Sequence, residues 1–92
     1  MNVVLQGYIV VPDADLDMVR KELDRHIRLT RLEEGCLCFE VTPDDDEPNR
    51  FNVYEEFVDG ASFEKHQARV GNSTWGKVTE NVARHYQIEG LS

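Results

Sequence analysis

Four stretches of the chain carry the short apolar patterns that are typical of β-strands. They are residues 3–11, 36–42, 51–57 and 85–91. The first stretch is rich in β-branched residues and stops at Pro12, which cannot donate to a strand ladder. Both of its faces are largely apolar, so we expect it to be covered on both sides.

Two other stretches repeat apolar residues at helical spacing. The first runs from about residue 16 to 32, with a stripe made by Leu16, Val19, Leu23 and Ile27. Asp13 or Asp15 could cap this helix, and Gly35 is suited to a left-handed conformation after it. His26 lies three residues after Leu23, so we expect it at the border of the stripe.

The second helix follows Asp59, a good N-cap residue. It is interrupted at residues 71–73, where Asn72 or Ser73 could cap a further helical turn that contains Trp75. The predicted order is therefore β-α-β-β-α-β, an α+β ferredoxin-like arrangement with its helices on one face of an antiparallel sheet. The length of 92 residues predicts a single domain over 1–92.

The other face of the sheet should expose apolar residues from Val3–Val11 and Phe51–Phe57. An extended apolar patch usually marks an interface, so the pattern predicts a homodimer that pairs through the sheet face.

Charge and composition restrict the partners. The net charge is −8 and the pI is about 4.7, which disfavours nucleic acid and anionic membranes. No apolar run is long enough for a membrane helix, and the N-terminal residues lack the pattern of a secretory peptide, so the expected location is cytoplasmic. The acidic run at 43–49 lacks calcium-loop spacing and is predicted to be a solvated hairpin turn.

The two cysteines, Cys36 and Cys38, stand two residues apart on a predicted strand, so we expect both side chains on one face. No further Cys or His is spaced for a metal site, and the expected state is a pair of buried free thiols without metal.

Two residues break the apolar pattern on the predicted core faces. Glu55 alternates with apolar residues on the third strand, and His66 lies on the apolar side of the second helix. With His26, they are the candidate catalytic residues, because a histidine titrates near neutral pH and suits proton transfer.

A structural role is the alternative for each of these residues. Either histidine could simply be hydrogen-bonded in the core, and Glu55 could form a buried ion pair with Arg31 or Arg69. Five aromatic residues could line a flat substrate pocket or belong to the core. They are Tyr8, Phe39, Tyr54, Phe63 and Trp75.

The ordered set of Glu34-Gly35-Cys36-Leu37, Phe39-Glu40-Val41-Thr42, Tyr54-Glu55 with Phe57 and Asp59, and Phe63 with His66 resembles the antibiotic biosynthesis monooxygenase (ABM) domain family. The resemblance covers nearly the whole chain. It implies a ferredoxin-like fold that pairs sheet to sheet into a dimeric α+β barrel.

The resemblance also implies a function. Family members include cofactor-independent monooxygenases that act on quinols and phenols, so the expected enzyme oxidises an aromatic small molecule with dioxygen and needs no cofactor. The family's recurring histidine corresponds to His66 and its strand glutamate to Glu55. Haem-degrading relatives use an Asn near the end of the first strand, where this chain has Gln6 or Gly7, so haem degradation is disfavoured.

Two other functions fit the same fold, because a fold does not fix a function. One is a non-catalytic dimeric small-molecule-binding or stress-response protein. The other is a lactone or enol isomerase, which would exchange protons without consuming oxygen.

Overall fold

The computed structural model describes residues 2–91 and has the predicted order of elements, and the further helical turn predicted around Trp75 forms a short helix before the last strand. The elements are β1 (Val3–Val10), α1 (Leu16–Arg31), β2 (Cys36–Pro43), β3 (Arg50–Phe57), α2 (Gly60–Gly71), α3 (Thr74–Val78) and β4 (Ala83–Glu89). Within the described residues, no helix is both long enough and apolar enough to cross a membrane.

The four strands form one sheet in the order β2-β3-β1-β4, and every neighbouring pair is antiparallel. This confirms the α+β ferredoxin-like arrangement. One face of the sheet, here called the inner face, is covered by the helices. Its core combines side chains of β1, β2 and β3 with Val19 and Leu23 of α1, Phe63 of α2 and Trp75 of α3.

The register assigns each strand residue to the inner or the outer face. On β3 the inner residues are Phe51, Val53, Glu55 and Phe57, and all four are buried. Their side chains point the same way as those of Val3, Leu5 and Ile9 on β1, with which they pair. The alternation seen in the sequence therefore describes β3 correctly over its whole length.

The outer face is more polar than expected. The outer residues of β3 are Arg50, Asn52, Tyr54 and Glu56, so the prediction that Phe51–Phe57 adds apolar surface to this face is wrong. The reason is that strict alternation sends every apolar side chain of β3 inward. On β1, Val4, Tyr8 and Val10 are the apolar outer residues. Tyr8 itself is packed between the His85 ring and the Arg50 guanidinium.

A β-bulge between Cys36 and Cys38 changes the faces of β2. Cys36 pairs with Phe57 on the inner face, whereas Cys38 pairs with Glu56 on the outer face. The expectation that the two cysteines share a face is therefore wrong, because the bulge inserts an extra residue, Leu37, whose side chain is 54% exposed. Both thiols are free and half-buried.

The helix ends follow the sequence signals in most places. Asp59 caps α2 by accepting a hydrogen bond from the Ser62 amide, and Ser73 caps α3 in the same way. α1 differs, because a 3-10 turn at Asp13–Asp15 precedes it and no acidic side chain caps it. Gly35 does adopt a positive φ of 90°, but it lies in the turn that leads into β2 rather than at the helix end.

Candidate functional site

The imidazole of His66 lies between α2 and the inner face of the sheet. His66 belongs to α2, which is capped by Asp59 and begins at Gly60. The helix places the His66 side chain over β3, and this residue is only 2% exposed. The rings of Phe57 and Phe39 lie 4.9 and 5.6 Å from the imidazole, centroid to centroid. Burying a histidine in such surroundings is costly unless its ring finds polar partners.

Glu33 is the first of these partners. Both of its carboxylate oxygens lie 3.1 Å from Nδ1 of His66. The same carboxylate accepts a 2.6 Å hydrogen bond from Nε of Arg69, whose Nη2 also donates to the Thr30 hydroxyl. Glu33 follows α1 directly, so this cluster joins the end of α1 to the side of α2.

The Glu33 carboxylate decides which nitrogen of His66 is free. An ionised carboxylate can only accept, so neutral His66 carries its hydrogen on Nδ1 and its lone pair on Nε2. Nε2 lies 3.7 Å from Oε1 of Glu55. This distance is too long for a hydrogen bond, so the lone pair of His66 remains available on the side of Glu55.

Burial lowers the pKa of His66, while the hydrogen bond and the negative charge of Glu33 act in the opposite direction. His66 is therefore neutral and able to accept a proton at pH 7. Any positive charge that it gains is stabilised by the carboxylate of Glu33. This pairing of a base with an orienting carboxylate is the arrangement found in many proton-transfer sites.

Glu55 is 6% exposed on the inner face of β3. Burial, and secondarily the charge of Glu33, raise its pKa to about 7. Its Oε1 has no hydrogen-bond partner among the residues that the structure describes. The suggested ion pair with Arg31 or Arg69 is wrong, because Arg31 binds the Phe39 carbonyl and Glu40 and Arg69 is held by Glu33.

His26 reaches the same space from α1. Its ring stacks on Trp75 at 4.5 Å with an angle of 5° between the planes, and its centroid lies 6.2 Å from that of His66. Burial lowers the pKa of His26 to about 3, with smaller effects from His66 and Arg69. His26 is therefore neutral at pH 7, and its Nδ1 has no hydrogen-bond partner within residues 2–91.

A cavity of about 200 Å³ is lined by all three candidates, His26, Glu55 and His66. Phe39 and Trp75 line this cavity, as expected for substrate-binding residues, together with Tyr86 of β4. Burial raises the pKa of Tyr86 to about 12, so its hydroxyl keeps its proton. The other walls combine aliphatic side chains, among them Leu5, Ile9, Val53 and Val70, with the polar side chains of Gln67, Thr79 and Arg84.

Three of the predicted aromatic residues lie elsewhere. Tyr8 and Tyr54 are on the outer face of the sheet, where they border a separate, open depression. Phe63 is buried against Phe57 at 5.8 Å and does not line the cavity. The expectation that Tyr8, Tyr54 and Phe63 would line one pocket with Phe39 and Trp75 is wrong. Strand alternation turns the two tyrosines outward, and Phe63 is packed in the core.

Glu33 was not predicted as a site residue. It is one of two adjacent glutamates in a turn, and neither spacing nor hydrophobic pattern distinguishes it from Glu34. The signal that separates them is tertiary, since Glu33 meets His66 and Arg69 across 33 and 36 residues of chain.

Residues 2–73 match the family model described as antibiotic biosynthesis monooxygenase. The chain belongs to this family. The family residues quoted in the sequence, including Glu55 and His66, all fall within the matched range. Membership supports a general monooxygenase-like function.

Several solved structures share the fold. A candidate antibiotic biosynthesis monooxygenase from Deinococcus radiodurans has a TM-score of 0.79 at 20% identity, with 100% of this chain and 93% of that chain covered. A conserved protein from Bacteroides thetaiotaomicron, described as a possible oxidoreductase, has a TM-score of 0.80 at 13% identity, with 98% and 97% covered. A further candidate family member from Nitrosomonas europaea has a TM-score of 0.77 at 19% identity, with 96% and 93% covered.

The comparison with curated proteins found no match. The similarities to solved structures therefore support the fold, and the family model supports the functional class.

Proposed function

We propose that this protein is a cofactor-independent monooxygenase that oxidises a quinol or phenolic small molecule with dioxygen. The observation that carries the proposal is the polarised His66, whose Nδ1 is held by Glu33 while Nε2 remains available beside Glu55. Family membership supports the oxygen chemistry, and the cavity lined in part by aromatic rings supports an aromatic substrate.

The proposed reaction begins with proton removal. Nε2 of His66 takes the proton of a substrate hydroxyl, and the Glu33 carboxylate stabilises the imidazolium that forms. The cavity contributes by excluding water and by holding the ring next to this base. Deprotonation makes the ring a much better electron donor, which is the condition for direct reaction with dioxygen.

The electrons and atoms then balance without another reductant. The phenolate passes one electron to dioxygen, and the resulting radical pair combines to form a carbon–oxygen bond at a ring C–H position. Loss of the ring hydrogen as a proton, together with cleavage of the O–O bond, gives a quinone oxygen and one molecule of water. The net reaction is phenol plus dioxygen to quinone plus water, and a hydroquinone gives a hydroxyquinone with the same stoichiometry.

Oxygen uptake tests this proposal with hydroquinones and phenols as substrates. We expect one dioxygen consumed for each quinone formed, and one labelled oxygen atom in the product when the gas is ¹⁸O₂. The variant His66→Ala should lose a factor of about 10²–10⁴ in rate, which is the usual contribution of a general base. His85→Ala is the matched control, because this histidine lies on the outer face against Tyr8.

Equal rates for wild type and His66→Ala, after subtraction of autoxidation, would remove His66 from the mechanism. Release of hydrogen peroxide without label in the product would indicate an oxidase instead. A wild-type protein that binds these compounds and turns none of them over would be the non-catalytic binding protein of the alternative hypothesis.

Pairing of two chains through the outer face stays a prediction. Val4, Tyr8 and Val10 supply its apolar part, and sedimentation equilibrium would measure the oligomeric state directly.

A further inference from the structure

Two residues that line the cavity each have one buried polar atom without a hydrogen bond to another described residue. Oε1 of Glu55 and Nδ1 of His26 both lack a partner, and the two residues are only 6% and 5% exposed. An unsatisfied buried polar group costs about 1–3 kcal/mol. Two such groups that line one cavity indicate that the cavity normally holds a molecule that satisfies them.

The size of the cavity limits that molecule. An engineered apolar cavity of about 150 Å³ takes one benzene ring, and the volume here is about 200 Å³. A drug-sized ligand needs about 300 Å³ or more. A single six-membered ring with small polar substituents therefore fits within this volume, whereas two fused rings would extend to the mouth of the cavity.

The walls favour an aromatic ring over a saturated one. Phe39 and Trp75 present aromatic rings, and His26 stacks on Trp75. Aromatic groups that meet face to face or edge to face gain energy beyond the burial of their area. Aliphatic side chains such as Leu5 and Ile9 make up much of the remaining surface, and the polar side chains of Gln67, Thr79, Arg84 and Tyr86 complete it.

We propose that the cavity selects a single-ring hydroquinone, with one hydroxyl group hydrogen-bonded to Glu55 beside His66 and the other to His26. This inference rests on the proposed function, because it takes the cavity as the substrate site. It assigns His26 to substrate binding rather than to proton removal. His66 and Glu55 then receive the hydroxyl that loses its proton, and His26 holds the opposite end of the ring.

The protonation states agree with this arrangement. His26 is neutral at pH 7 and has a nitrogen lone pair that can accept a hydrogen bond from a hydroxyl. Glu55, whose pKa is about 7, can either donate to or accept from the other hydroxyl. Of the other titratable groups, Tyr86 and Arg84 also line the cavity, where the Tyr86 hydroxyl keeps its proton and Arg84 donates to Thr79. Glu33 is bound to Arg69 and His66.

Calorimetric titration under strict anaerobic conditions tests the inference without turnover. The probes are hydroquinone, phenol, 4-methoxyphenol and 1,4-naphthohydroquinone. We expect hydroquinone to bind about fivefold more tightly than phenol or 4-methoxyphenol, because each loses one hydrogen bond. The two-ring naphthohydroquinone should bind more weakly than hydroquinone.

Two variants locate the contacts. His26→Phe keeps a ring on Trp75 but removes the nitrogen, and Glu55→Leu removes the carboxyl group. In each variant the preference for hydroquinone over phenol should disappear, whereas His85→Phe, on the outer face, should keep it. The ligand series on the wild-type protein gives an independent answer if a variant does not fold.

Equal affinities of phenol and hydroquinone for the wild type would overturn the two-point contact. Naphthohydroquinone binding as tightly as hydroquinone would overturn the single-ring limit, and no binding by any probe would mean that the cavity holds only water. These results are separate from those on the proposed function. A protein that binds hydroquinone as described but consumes no oxygen would confirm this inference and contradict the enzymatic proposal.

Discussion

Glu55 and Glu56 are neighbours on β3, yet their carboxyl groups have opposite environments. Glu56 lies on the outer face and accepts hydrogen bonds from Asn2 and Tyr54. Glu55 lies on the inner face, has an unpartnered oxygen and has a pKa of about 7. Two of the histidines differ in the same way. His66 is enclosed at the site, whereas His85 stacks on Tyr8 on the outer face of the sheet.

Residue type alone therefore does not mark the site. Burial does so, because it strengthens electrostatic interactions and shifts protonation equilibria. One strand therefore supplies an ordinary surface carboxylate and a carboxylate suited to proton chemistry at consecutive positions. Substitutions on the inner face should therefore change stability and turnover more than substitutions on the outer face.

The largest expected effect is on stability. Phe57 is fully buried against Phe63 and His66, so Phe57→Ala should lower the free energy of unfolding by about 3–5 kcal/mol. Urea denaturation measures this change. Val10 is 38% exposed on the outer face of β1, so Val10→Ala should lower the free energy of unfolding by less than about 1 kcal/mol. Similar decreases for both variants would contradict the distinction between the two faces.

The next effect is a change in the pH dependence of stability. Between its ordinary pKa of 4.5 and its folded pKa of about 7, Glu55 holds a proton in the folded chain that the unfolded chain has released. The contribution of Glu55 to stability therefore falls as pH rises through this range. Glu55→Gln should remove that fall and be more stable than wild type at pH 8 by about 3 kcal/mol.

Denaturation at pH 4, 6 and 8 measures this difference. His26, whose pKa falls to about 3, makes the opposite contribution between pH 3 and 6.5, with stability that rises with pH. It is present in both proteins, so subtracting the two curves isolates Glu55. Parallel curves for wild type and Glu55→Gln would show that Glu55 keeps an ordinary pKa in the folded protein.

A third effect is on turnover. Glu33→Gln retains an oxygen that can accept from Nδ1 of His66 but loses the negative charge. We expect kcat to fall about 10- to 100-fold, in line with the loss of an orienting partner. The acidic limb of the pH–rate profile should also move to lower pH, because Glu33 raises the pKa of His66. An unchanged profile would reduce Glu33 to a structural role.

The smallest effect is expected for Glu56→Gln, the outer-face counterpart of Glu55→Gln. Exposed substitutions of this kind usually change the free energy of unfolding by less than about 0.5 kcal/mol. Activity and the slope of stability against pH should match the wild type. A large effect would mean that the outer face also contributes to the site.

Much of the fold could be predicted from local patterns. Alternation over Phe51–Phe57 gives the strand, its buried face and the anomalous position of Glu55, because a period of two is imposed by strand geometry. Asp59 predicts the start of α2, and helical spacing from there places His66 toward the sheet. These inferences need only residues close together in sequence.

The remaining features depend on contacts that local patterns do not encode. The bulge at Leu37 places Cys36 and Cys38 on opposite faces of the sheet, and nothing in the local composition indicates a bulge there. Glu33 becomes part of the site only when the end of α1 meets α2. Tyr8 and Trp75 looked equivalent as aromatic candidates, and only the three-dimensional arrangement sends one outward and the other into the cavity.

Because of the bulge in β2, each face of the sheet has one cysteine, and the two thiols have different environments. Cys36 packs partly against the core, and burial raises the pKa of its thiol, which slows its reaction with alkylating reagents. Cys38 presents its sulfur on the opposite surface, two residues further along. A limiting amount of a maleimide dye should therefore modify Cys38 before Cys36. A partner chain that covers the outer face would protect Cys38 from the dye.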